Sequence, residues 1–413
     1  MFTMVESKTH SARKRMLSNF YSKSFLQSSP QMRLISDTIV YGRLLPILNR
    51  AASSNSSIDI HEVNQALTMD FVSAYLFGLA NGSNLLQHES LRRSMIHFYQ
   101  CRKPFEFYQQ EVPDLVSWLE SFGVRLIPKW CDEANEVLGS WTLEMCDKAD
   151  QSQESKEPGV EPLIYKQLKQ AMAGQLPAKE DDPEAYAKAL KQQRLDIACE
   201  IYDQLTAGHE TSAVGLTYLF WELSKQPDLQ KELRKELLTL EPAIIYPRSS
   251  QSTELPPAKS VDNRPLLEAI VTETLRLHAP IPGIQPRVTP SPSCTLAGYS
   301  NIPPNTRVNA QAYSLHRNPE VYPDPESWQP KRWLTDCNSP ADLDMRRRWF
   351  WAFGSGGRMC VGSNLALQEM KLATAAIYSN FTSTIVNDDN IEATDEYTVK
   401  PKGGKLDLRF SPA

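Results

Sequence analysis

Cys360 stands in the stretch Phe353-Gly-Ser-Gly-Gly-Arg-Met-Cys-Val-Gly362, which runs straight into an apolar helical pattern from Asn364 to Ile377. Glycines at 354, 356, 357 and 362 let the backbone approach something flat and close, or adopt positive φ. The cysteine lies just before a helix N-terminus, whose free N–H groups and dipole stabilise a thiolate. A thiolate held this way is a soft metal ligand. Arg358, two residues away, can pair with a carboxylate on whatever lies over the loop. The same residues would also suit a buried structural cysteine in a tight turn, and both readings stand at this point.

A second constellation is Ala207-Gly-His-Glu-Thr-Ser212, inside a long helical pattern from about Ala185 to Gln226. Gly208 thins the helix and permits local opening of its hydrogen-bond ladder. Glu210 and Thr211 then form an acid–alcohol pair suited to proton delivery. Alone, they read equally as a surface glutamate and a helix-bending threonine. A zinc-protease reading of His209-Glu210 fails, because position 213 is Ala and the second ligand is absent.

Charges elsewhere fall at useful spacings. Glu273 and Arg276 share a helix face at i,i+3 and can pair. Arg287, in Gln-Pro-Arg-Val, and Lys14, in His10-Ser-Ala-Arg-Lys-Arg15, are candidate cations for an anionic group. Arg346-Arg-Arg348, just upstream of the cysteine loop, reads either as a basic patch against an acidic partner or as a solvated charge run.

These residues need elements to place them, and the pattern is mainly α with small β-sheets. Helices are expected over Ile58–Gly78, Glu89–Tyr108, Asp132–Lys148, 185–226 (stopped by Gln226-Pro227) and Pro265–His278. Thr295 to Val308 reads as strand-turn-strand, and Tyr397 to Phe410 as a hairpin turning at Gly403-Gly404. Asp147–Pro162 and Pro242–Asn263, the latter with its Ser-Ser-Gln-Ser run, read as exposed loops, and neither separates independent segments. One domain therefore spans residues 1–413. A net charge of −5 gives no global attraction to nucleic acid or anionic lipid. Seven scattered cysteines, none at CxxC spacing, argue against a zinc ribbon and for a reducing compartment. The amino terminus lacks the apolar core of a signal peptide, and no run of 18 apolar residues occurs.

At Phe353, Gly356, Arg358, Cys360 and Gly362 the loop matches every fixed position of Phe-x-x-Gly-x-Arg-x-Cys-x-Gly, and so resembles the signature of the cytochrome P-450 family. Other motifs follow in that family's order. Glu273-Thr-Leu-Arg276 resembles its Glu-x-x-Arg helix. Trp328-Gln-Pro-Lys-Arg-Trp333 resembles the next aromatic segment, with Arg332 as third member of an ionic cluster that locks the cysteine loop and Lys331 in place of the common Glu. Ala207–Ser212 resembles the oxygen-binding turn, and His10–Arg15 the helix-C segment, with Lys14 where the family carries Arg.

The resemblance implies haem b, with Cys360 as axial ligand, Phe353, Gly208 and Gly362 around the cofactor, and His10, Lys14, Arg287 and Arg358 toward its propionates. It implies a monooxygenase acting with dioxygen and an NADPH-cytochrome P-450 reductase, with Glu210 and Thr211 handling protons. Tyr202, Leu205, Thr206, Ile281 to Gln285 and the Gly403 turn would line a pocket for a hydrophobic small molecule. Similarity to filamentous-fungal microsomal members points to secondary metabolism and the cytoplasmic face of the endoplasmic reticulum, although no membrane anchor is present in this chain. The likeness begins inside helix C, so the chain is expected to lack the family's first helices and part of its larger sheet, and to fold poorly alone. A haem protein without turnover and a peroxide-driven enzyme are the competing functions.

Overall fold

The computed structural model describes the chain except residues 1–3, 5, 156, 158, 175, 179–181 and 249–253. The Met1-Phe-Thr start and the Ser-Ser-Gln-Ser run of the second expected loop lie outside the described residues. Two compact units form: Met1–Ile39 with Gln65–His209, and Val40–Asn64 with Glu210–Ala413.

The first unit is helical. It contains α1 (Ser7–Leu17), most of α2 (Ile60–Phe77), α3 (Glu89–Cys101), α4 (Lys129–Ser152) and the first part of α5 (Pro183–Ser224). Pro183 begins α5, where its missing N–H costs nothing, and the Asp182 side chain accepts from the Ala185 N–H at 2.9 Å. The helix ends two residues before Gln226-Pro227, the expected stop. Tyr21 donates its hydroxyl to Gln204 at 2.5 Å, and Tyr75 donates to the Phe20 carbonyl at 2.6 Å, so two buried phenols tie the early residues to α5 and α2. The helix expected over Glu89–Tyr108 breaks at Arg102, where Pro104 follows and turns the chain through a short 3₁₀ segment.

The second unit carries the small sheets. Strands β1 (Ser57–Asp59), β2 (Ile284–Val288), β3 (Cys294–Leu296), β4 (Tyr299–Ile302), β5 (Arg307–Gln311), β6 (Phe381–Asn387) and β7 (Asp407–Pro412) pair antiparallel as β1-β7-β6, β2-β5 and β3-β4. The β3-β4 turn sits where expected, with Ala297 and Gly298 both at positive φ. The hairpin expected over Tyr397–Phe410 does not form. Instead β7 is the middle strand between β1 and β6, pairing Leu408 with Ile58 and Ile385. Leu408 and Phe410 are buried, so burial against distant strands overrides the local turn signal. The Gly403 turn folds under residues 389–390, where a side chain would meet the Asp389 carbonyl.

Three helices complete the frame: α6 (Pro265–Leu277), α7 (Pro340–Trp349) and α8 (Ser363–Asn380). Leu267, Ile270 and Val271 of α6 and Ala373, Ile377 and Tyr378 of α8 are all but completely buried. Each large aliphatic side chain there contributes about 1.5–3 kcal/mol by leaving water. Among the described residues no helix is long and apolar enough to cross a membrane.

Candidate functional site: a cysteine loop on an ionic keystone

The i,i+3 spacing on α6 delivers Glu273 and Arg276 into the core, both with fully buried side chains. One carboxylate receives five donors. Arg276 binds it bidentately, Nε to Oε2 and Nη2 to Oε1, each at 2.8 Å. Arg332 Nε and the Gln329 N–H each reach Oε1 at 2.9 Å, and Trp333 Nε1 reaches Oε2 at 2.8 Å. The surplus positive charge is absorbed by carbonyls: Arg276 Nη1 donates to His316 O at 2.9 Å and to Pro325 O at 2.7 Å. Charge-assisted bonds of this kind are short and directional, so the cluster sets the path of the 316–333 segment. The expected trio is therefore present.

Arg346 joins it, which corrects the expected basic patch. Its side chain is buried and donates to Arg332 O at 2.6 Å and Asn338 Oδ1 at 2.7 Å. Arginine's planar fork suits it to such multiple carbonyl contacts. Only Arg347 and Arg348 of the run are exposed.

His316 carries the order of this cluster to the cysteine loop, a role its spacing in the sequence did not signal. Its Nδ1 donates to Arg276 O at 2.8 Å, so its Nε2 is left to accept the Trp351 N–H at 2.7 Å. The ring stacks on Phe350 at 5.5 Å and 15°. Burial, with the neighbouring Arg276 and Arg317 charges, pushes its pKa down to about 3. Unfolded, the ring binds a proton below pH 6.5; folded, it does not. Stability contributed by the neutral ring is thus complete above pH 6.5 and lost as pH falls toward 3. We expect wild-type stability to fall more steeply below pH 6.5 than that of His316→Gln, measured by urea unfolding. Equal slopes would show that the ring is not held neutral.

From Trp351 the loop is held by its own backbone. Gly354 N–H donates to Trp351 O at 3.0 Å, Cys360 N–H to Phe353 O at 2.9 Å, and Met359 N–H to Gly356 O at 3.0 Å. Gly354 and Gly356 take φ of +66° and +69°, which only glycine adopts without strain. Gly362 precedes α8 with an ordinary φ of −85°. Cys360 is exposed, which rules out the buried structural cysteine. Added side chains at Gly356, Gly357 or Gly362 would meet no atom within 4 Å. The loop thus presents a thiol before a helix N-terminus and an open, glycine-floored face.

Arg287 belongs to the same neighbourhood. On β2, Gln285 and Arg287 share a face, and the Gln285 amide oxygen lies 2.8 Å from where a Gly354 side chain would begin. Arg287 is half-buried and donates to its neighbour's carbonyl, Pro286 O, at 2.8 Å. An exposed soft donor, an open flat cradle and a cation on the adjoining strand fit a haem held by Cys360.

The remaining candidates lie on α5 and α1. Glu210 is buried and Thr211 half-buried, both in the second unit. The helix continues through Gly208. Gly208 admits Val72 of α2, whose Cγ2 lies 2.8 Å from a built Cβ position. His209 gives its carbonyl to Thr68 Oγ1 at 2.6 Å and meets the Tyr99 ring edge-on at 4.9 Å. On α1 His10 is buried and Lys14, one turn later, half-buried, whereas Arg13 turns to Met172 Sδ at 3.1 Å and Arg15 is exposed. Lys14 is thus the cation on the face of His10, and both lie in the first unit.

Comparison with known proteins agrees with this geometry. The family model for cytochrome P-450 matches residues 1–408. Cytochrome P-450 monooxygenase tazI of Aspergillus terreus is 34% identical over 214 residues, 50% of this chain and 40% of that protein. The match therefore spans less than half of that relative's length. Cytochrome P-450 monooxygenase avaI of Aspergillus versicolor is 26% identical over 89% of this chain and 80% of its own. Cytochrome P-450 monooxygenase FGM1 of Gibberella zeae is 25% identical over 99% and 76%. The crystal structure of a cytochrome P-450 (CYP102L1) superposes with a TM-score of 0.69 at 20% identity, covering 97% of this chain and 81% of that one. With the loop, the ionic keystone and the fold in agreement, the chain belongs to the cytochrome P-450 family.

Proposed function

We propose that this protein is a haem-thiolate monooxygenase that inserts one oxygen atom from dioxygen into a hydrophobic small molecule. The observation that carries the reading is the exposed Cys360 on an open glycine loop, tied through His316 to the Glu273 cluster. Haem b ligated by this thiolate supplies an electron-rich iron that favours O–O cleavage. Arg358 and Arg287 would hold the propionates. Glu210 and Thr211 would hold and pass protons, and Ile281 to Gln285 would favour an apolar substrate. Electrons would come from an NADPH-cytochrome P-450 reductase, with Arg347 and Arg348 as exposed charges beside the loop. The fungal relatives named as monooxygenases support a place in fungal secondary metabolism.

Dioxygen uptake driven by NADPH and reductase, compared with turnover on peroxide alone, tests the reading. Turnover on peroxide alone would replace it with a peroxide-driven enzyme, and haem binding with neither activity would leave a haem protein. Thr211→Ala is expected to keep haem but lose about 10²-fold in coupled rate, the scale of a proton-transfer element. Coupling unchanged in this variant would remove Thr211 from the chemistry.

A further inference from the structure

Cys101 is the last residue of α3 and Cys131 sits in the first turn of α4, both within the first unit. Contacts on either side of the two cysteines hold these helix ends together. Arg102 Nη1 donates to Asn135 Oδ1, one turn beyond Cys131, at 3.5 Å. The Phe105 ring meets Trp130 edge-on at 5.4 Å and 82°. Phe105 and Tyr108 also pack on the buried cluster of Val116, Ile127 and Cys131. A charge on Cys101 bears on the Cys131 thiol more strongly than does Asp132, its neighbour in the chain. Coulombic influence falls with distance, so the two sulfurs are near each other.

The two thiols differ in character. Cys101 is half-buried, with its Sγ turned to the Phe98 carbonyl of its own helix at 3.5 Å. Cys131 is only 1% exposed. Burial pushes its pKa up, the charges of Cys101 and Asp132 push it further, and Arg102 offsets part of this. Cys131 therefore stays a protonated thiol at neutral pH, and Cys101 is the sulfur that a small oxidant can reach.

We propose that Cys101 and Cys131 are a redox modification site, joined by a peroxide into a reversible disulfide that clasps the base of the 102–130 segment. This site stands apart from the function proposed above, because neither thiol takes part in that chemistry. The Cys101 thiolate attacks one peroxide oxygen, the O–O bond breaks, and the departing hydroxide takes a proton and leaves as water. Cys101 is then a sulfenic acid. The Cys131 sulfur attacks it, the S–S bond forms, and the sulfenic hydroxyl leaves with the Cys131 proton as a second water. The two thiols lose two electrons in all, and the peroxide gains them. Oxidised Cys101 no longer carries the charge that opposes ionisation of Cys131, whereas Arg102 still favours it, so the first step prepares the second. A dithiol reverses the bond by exchange.

The segment closed off in this way holds two short helices, Glu106–Glu111 and Pro113–Ser121, and the exposed Phe107, Trp118 and Phe122. Joining its two ends removes chain entropy that opening would gain, so the oxidised segment opens more rarely. Where thiols are kept reduced, the dithiol is the resting state and the disulfide is the response to oxidant.

The full chain, treated with a stoichiometric amount of hydrogen peroxide, alkylated and mapped by mass spectrometry without reduction, tests the site. A peptide pair joined through Cys101 and Cys131 is expected, and dithiothreitol should release it. Cys131→Ala should leave Cys101 as a sulfenic acid captured by dimedone, while Cys101→Ala should leave Cys131 an unmodified thiol. Chymotryptic cleavage at Phe107, Trp118 and Phe122 should slow roughly tenfold on oxidation and recover on reduction. A chain that keeps its circular dichroism but forms no 101–131 link, or forms links scattered equally among its other cysteines, overturns the site. Dimedone on Cys131 in place of Cys101 overturns the order of the two steps. A 101–131 link with unchanged cleavage overturns the clasp. Should either variant fail to fold, the wild-type map and its cleavage rates decide both points by themselves.

Discussion

Glu273→Ala is expected to cost about 3–5 kcal/mol, the scale for removing one partner of a buried ion pair. Arg276 and Arg332 would then face each other inside the core without the carboxylate that binds both. Trp333 Nε1 and the Gln329 N–H would lose their acceptor as well. The pair's own net contribution is smaller, because burying three charges was costly from the start; the damage comes from the charges left behind. Glu273→Gln keeps an acceptor oxygen without the charge and should recover part of the loss. Urea unfolding followed by circular dichroism measures both variants. A loss under about 1 kcal/mol for the alanine variant would mean that water or a rearranged carboxylate replaces Glu273, and that the cluster is not the keystone.

Cys360→Ser should do the opposite, leaving the fold and removing the ligand. The side chain is exposed, and the loop bond at this position runs from backbone N–H to Phe353 O, which serine keeps. Stability should therefore stay within about 0.5 kcal/mol of wild type. A serine hydroxyl is far less acidic than a thiol and is a hard, weak ligand for the same metal. The reduced, CO-bound wild type should show the red-shifted Soret band of thiolate ligation, and the variant should lose it together with dioxygen uptake. A variant that retained the band would remove Cys360 as ligand. The contrast between the two substitutions separates the residue that binds from the residues that hold it in place.

The site's chemistry was legible in the sequence because it is local. Phe353 to Gly362 are ten consecutive residues, and a loop that must bend through glycine and end at a helix shows both needs in its own letters. The same holds for Glu273 and Arg276, whose i,i+3 spacing is a one-helix property, and for the proline stop after α5. Sheet pairing was not legible. Residues 397–410 carry a good turn signal, yet β7 pairs with β1, nearly the whole chain away, and with β6, because Leu408 and Phe410 gain more from burial in that three-stranded sheet than a local hairpin offers.

Roles that depend on what a side chain meets were likewise decided only by tertiary structure. Arg346 reads as one of three surface arginines, but the core offers carbonyls that its fork can satisfy, and it is buried. Gly208 reads as a weak point in a helix, but its missing side chain makes room for Val72 of α2. His316 has no partner at any telling spacing. It becomes the link between the ionic cluster and the cysteine loop only because residues 276 and 351 are brought to its two ring nitrogens. Spacing along a chain records contacts within one element; contacts between elements are set by the packing of apolar surfaces, which leaves no fixed interval to read.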